Sequence, residues 1–144
     1  MHAPLLVAQH VEAVRGFWAA YQARDWPGAR ALLAPGACCT WWTSGERFIG
    51  AEAVVHVNAV YPEGWHIEIL AVEPLPDQRV LSLVRVDHGD QVHYAHSWFR
   101  FAQDTPPCIE AVEEFWATAG PPPAWREGLP GRERVAVRCT AGPR

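Results

Sequence analysis

Three helical segments followed by a run of strand segments predict an α+β domain, with the helices folded across one face of a curved antiparallel sheet. The first sign is a helical stripe. Val7, Val11, Val14, Phe17, Trp18 and Tyr21 recur at three- and four-residue steps between about Leu6 and Arg24. The second is the text after Gly64, which reads as strand throughout: Trp65–Val72, Arg79–Asp87, Val92–Phe101 and Cys108–Trp116. Asp87-His88-Gly89-Asp90 is a hairpin signal between two of them. A curved sheet closed on one side by three helices encloses a cone with an apolar interior.

The elements between these landmarks follow from local chemistry. Asp25 is placed to cap a second helix with Pro27 in its first turn, running through Ala31, Leu32 and Leu33 until Pro35-Gly36 stops it. Ala37–Thr43 is aromatic and β-prone, and Ser44-Gly45-Glu46 reads as a turn. Arg47–Ile49 returns as a brief strand before Gly50. Ala51–Val60 suits a third helix, ended by Tyr61-Pro62-Glu63-Gly64, and Pro74 and Pro76 break the first strand junction. Residues 1–118 thus form one domain. Residues 119–144 are a Pro-, Arg- and Gly-rich tail in which Trp125 is an anchor onto the body and Val135–Val137 a small edge strand.

Composition narrows the functional classes. At 144 residues, 49% hydrophobic and 19% charged, the chain can bury a core without staples. A net charge of −4 leaves no basic footprint for nucleic acid. All 12 basic residues are Arg, which excludes a Schiff-base lysine and a Gly-Lys-Ser/Thr phosphate loop. Cys38, Cys39, Cys108 and Cys139 form no CxxC pair and read as free thiols. No signal peptide or membrane span is evident, so a cytoplasmic location is expected. His93 and His96 send their rings to opposite faces of one strand, so no shared metal is expected. With no nucleotide-binding motif either, the expectation is no cofactor.

The strand beginning at Gln91 has two occupied faces. His93, Ala95, Ser97 and Phe99 fall on one; Tyr94, His96, Trp98 and Arg100 fall on the other. Neither is an ordinary solvated surface, so each needs a cover: a helix layer, a cavity or a second subunit.

The order of elements, with ARDWPGARALLAP, TWWTSGERFIGAEAV and a closing AVEEFW, resembles the nuclear-transport-factor-2-like superfamily over about Leu6 to Trp116, and its SnoaL-like branch most. The superfamily's ketosteroid isomerases pair a tyrosine and a protonated aspartate as oxyanion hole with a second aspartate as base. The resemblance puts Phe17, Ser97 and Trp41 at those three positions, which disfavours that reaction. It further implies that His93, Ala95, Ser97 and Phe99 point into the cone, and that Ile109, Ala111, Glu113 and Phe115 do so from the last strand.

On that parity His93 and Glu113 are the acid–base pair and Ser97 a donor. Phe17, Tyr21, Trp41, Asn58, Phe99 and Phe115 line a ligand site, with Tyr61 at its rim. Arg85, Tyr94, His96, Trp98, Glu114 and Trp116 lie outside, where a homodimer packing sheet on sheet would cover them. A β-bulge that shifted the register would swap the faces and make His96, Arg85 and Asp87 the pocket set. The ligand implied is a small, largely hydrophobic molecule. Two functions stay open: a cofactor-free isomerisation, cyclisation or dehydration, or a non-catalytic ligand-binding or dimerisation module with a structural polar interior.

Overall fold

A computed structural model describes residues 3–103 and 106–136. Helix α1 spans Ala3–Gln22, and its stripe is the reason it folds where it does: Val14, Phe17, Trp18 and Tyr21 are all buried. Asp25 caps the short helix α2 (Trp26–Ala31) by accepting from the Gly28 amide at 2.9 Å, with Pro27 in the first turn as expected. The helix stops earlier than the sequence implied. Leu33 already belongs to strand β1 (Leu33–Trp41), and Pro35-Gly36 lie inside that strand. A register shift between Leu33 and Cys38 accommodates them, because a proline without an N–H is tolerated where the ladder is broken.

Strand β2 (Glu46–Ile49) returns antiparallel to β1, and Gly50 at φ 95° opens helix α3 (Ala51–Ala59). Four longer strands follow: β3 (Trp65–Pro74), β4 (Val80–His88), β5 (Gln91–Phe101) and β6 (Ile109–Thr118). They form one six-stranded sheet in the order β2-β1-β6-β5-β4-β3. The expected antiparallel meander of the last four is present, but β1 runs parallel to β6, so the sheet is mixed. Helix α1 packs on β3 and β4, and α3 on β1 and β2, which closes one face of the curved sheet into a cone. The class is α+β.

Inside the cone, Phe17 meets Phe99, Trp18 and Tyr21 edge-on, with ring centroids 4.4 to 5.2 Å apart. Ala95, Phe99, Val84 and Val112 complete the centre. Each large side chain buried there contributes about 1.5–3 kcal/mol. The Gln22 side chain accepts from the Ile67 amide at 2.6 Å, occupying part of the exposed edge of β3.

The tail departs from expectation. A 3₁₀ turn over Ala124–Arg126 follows the prolines, yet Trp125 is 71% exposed and stacks under Arg126 rather than on the body. Val135 and Ala136 form no strand; Val137 and Cys139 lie outside the described residues. Cys38, Cys39 and Cys108 are free thiols.

Candidate functional site

The strands set the site by their registers. On β5, Ala95, Ser97 and Phe99 are fully buried toward the helices, and His93 follows on the same side. On β4 the buried alternation is Val80, Ser82, Val84 and Val86, with Ser82 accepting from the Trp18 indole at 3.0 Å. The last strand reverses expectation. Phe101 pairs Ile109 but Arg100 pairs Ala111, so Glu110 is the extra residue of a bulge. Beyond it Val112, Glu114 and Trp116 face inward, while Glu113 and Phe115 face out.

Three residues expected inside, Ala111, Glu113 and Phe115, leave the cone as a result. Glu113 is not in the cone; it accepts from the exposed Trp42 indole at 3.0 Å on the outer face. Phe115, also expected to line the ligand site, is 46% exposed there. Conversely, Trp116 and Glu114 leave the outer face. The swap is confined to β6: Arg85, Tyr94, His96 and Trp98 remain on the outer side, with Arg85 donating to Asp87 at 2.8 Å.

Under the open end of the cone lies a cavity of about 330 Å³. Its walls are the indoles of Trp18, Trp41, Trp65 and Trp116, with Ile67 and Val86. Its rim carries the polar groups Thr43, Ser44, Glu46, Asn58, Tyr61, His88, His93 and Thr118. The His93 Nδ1 meets the Thr118 hydroxyl at 2.9 Å across the β5–β6 ladder. Asn58 donates to the Val54 carbonyl at 2.8 Å, so it is held by its own helix. Of the other expected ligand contacts, Phe17, Tyr21, Ser97 and Phe99 do not line the cavity; they are core beneath it. Trp41 does line it, with Trp42 turned outward, as alternation requires.

Beneath the floor sits a buried polar cluster around Glu114. Its carboxylate accepts from Ser97 Oγ at 2.8 Å, Trp41 Nε1 at 2.8 Å and Cys39 Sγ at 3.5 Å. Burial pushes the carboxyl above its ordinary range, and the donors from Ser97, Trp41 and Cys39 partly restrain it. The Trp116 indole N–H stands near the same carboxylate without reaching it in a directional hydrogen bond. The Tyr21 hydroxyl stands near the Asn58 side chain without reaching it in a directional hydrogen bond; burial and then the nearby Glu114 push its proton loss well above the usual phenol range, which Asn58 partly offsets. The Cys39 thiol is pushed up for the same two reasons.

Sequence reasoning missed Glu114, Trp65, Val86 and His88. Only Trp65 carried a usable signal, an aromatic at the head of a strand. Among the described residues no group of three His, Cys, Asp or Glu side chains could hold a metal, and no helix is long and apolar enough to cross a membrane.

No protein-family model matches the chain, and no curated protein does. Solved structures do. A candidate ketosteroid isomerase from Kribbella flavida DSM 17836 superposes with TM-score 0.77 at 24% identity, covering 90% of this chain and 92% of that one. An NTF-2-like protein of unknown function from Burkholderia xenovorans LB400 gives TM-score 0.73 at 16% identity over 90% and 97%. An LEH-like epoxide hydrolase from M. tuberculosis gives 0.59 at 16% identity over 76% and 84%. Both the order of its elements and these superpositions give the chain the nuclear-transport-factor-2-like fold.

Proposed function

We propose that this is a small-molecule-binding protein whose conical cavity takes a largely hydrophobic molecule, with His93 as the proton-transfer group at the rim. The observation that carries the reading is the cavity itself: apolar indole walls with polar side chains confined to the rim, the usual composition of a ligand pocket. His93 is aligned by Thr118 and lies on the lining, where an imidazole can exchange a proton with a bound molecule. The reaction class is a cofactor-free isomerisation, cyclisation or dehydration.

A neutral apolar fluorophore, N-phenyl-1-naphthylamine, tests binding. It brightens in the wild-type cavity, and Val86→Trp abolishes the signal while circular dichroism stays unchanged. Equal signals from both proteins would sink the cavity reading. Chemistry is tested by deuterium exchange into a panel of apolar ketones, with His93→Ala slowing the exchange by about a hundredfold. Exchange no faster than in buffer would favour the second reading, a non-catalytic binding module. That reading draws support from Glu113, which faces away from the cavity, and from Glu114, whose oxygens are already occupied by donors.

We also propose a homodimer through the outer sheet face. Tyr94, His96 and Trp98 stand there beside the exposed Phe115, an apolar surface of the kind that a two-fold partner covers.

A further inference from the structure

We propose that the ligand of this cavity is an organic cation, a quaternary or protonated amine on an apolar body, held against the indoles of Trp41, Trp65 and Trp116. The inference rests on the ligand-binding reading of the same cavity and names its chemical class. Indole faces carry the negative side of the aromatic quadrupole, and a cavity walled by several of them favours a cation over an isosteric neutral molecule.

Of the charged groups beside the cavity, Glu46 and Glu114 are carboxyls, and Arg24, stacked on Trp65, is already paired with Glu63 at 2.9 Å. Glu46 is part of the lining, and Glu114 lies at the N–H edge of Trp41, which donates to that carboxyl at 2.8 Å. All the donors to Glu114 are neutral: Ser97, Trp41 and Cys39. No Arg or His among the described residues forms an ion pair with it. In its ionised form a carboxyl buried without a counter-ion exerts a weakly screened field on the adjoining cavity. The hydrogen bond from Trp41 also pushes electron density into the indole, which strengthens its attraction for a cation. Among the described residues no arginine lines the cavity, and the other titratable lining groups are Tyr61, His88 and His93.

The protein already uses one of these rings in this way. The Arg24 guanidinium sits 3.3 Å from the Trp65 ring centroid, outside the cavity lining. An anionic ligand would instead meet Glu46 and the field of Glu114, and a neutral one would gain nothing from either.

The test is a matched pair of probes at pH 8: benzyltrimethylammonium and its neutral carbon isostere neopentylbenzene, titrated against tryptophan fluorescence. The cation binds the wild-type protein about tenfold more tightly or better, and Glu114→Gln removes most of that preference while leaving the isostere's affinity unchanged. Equal binding of the two probes by the wild type overturns the inference and leaves the cavity reading standing. Binding of neither overturns both. A Glu114→Gln protein that keeps the full preference also overturns it. Should that variant fail to fold by circular dichroism, Glu46→Gln at the rim takes its place, with an expected loss of about threefold or more in cation affinity alone.

Discussion

Glu113 and Glu114 are neighbours with opposite environments, and that difference controls the chemistry available to the site. Glu113 is on the outer face with an exposed indole for company; Glu114 is buried under the cavity with three neutral donors. A carboxyl raised above its ordinary value of 4.5 binds more protons in the folded than in the unfolded chain between those two values, so its contribution to stability falls as pH rises through that window. Glu114→Gln removes this dependence while keeping an acceptor for Ser97 and Trp41. The melting temperature of the variant relative to the parent is therefore more favourable at pH 8 than at pH 4. A difference that stays constant over that range would mean that the carboxyl is not raised. The adjacent pairs Glu113-Glu114 and Phe115-Trp116 explain why the sequence could not separate the two roles: either parity puts one glutamate and one aromatic on each face.

At the scale of elements, the registers around the cavity depend on a few positions with no freedom to vary. Gly64 turns the chain from α3 into β3 at φ 109°, and a Cβ there would stand 3.5 Å from the His88 ring at the rim. Gly64→Ala is expected to cost about 1–3 kcal/mol by chemical denaturation, because that backbone region is closed to other residues. A variant as stable as the parent would contradict the turn geometry. Asp25→Ala is expected to cost about 1 kcal/mol, the value of a helix cap that satisfies an otherwise orphaned amide. Unchanged stability would show that the cap is dispensable. Both residues were legible in the sequence. The bulge at Glu110 was not, because a single inserted residue has no compositional signature and is fixed only by how β6 pairs with β5.

For the whole molecule, a sheet with two occupied faces has to solve two covering problems. The inner face is covered by α1 and α3 except where the cone opens into the cavity. The outer face, with Trp98 between Arg79 and His96, is the proposed dimer surface. Sedimentation velocity at micromolar concentration should give the mass of two chains for the wild type and of one chain for Trp98→Glu. A wild-type monomer would remove the partner from the account of this face.

The sequence by itself determined the helices, the strands and their order, because capping residues, turns and hydrophobic periods are local. Alternation along β5 also separated its two faces, and the family resemblance, not the residues alone, named the inner one. Only the tertiary structure decided which carboxylate lies under the cavity and which tryptophans wall it. Those outcomes depend on cross-strand register, the parallel β1–β6 pairing and one bulge, all set by contacts between segments distant along the chain.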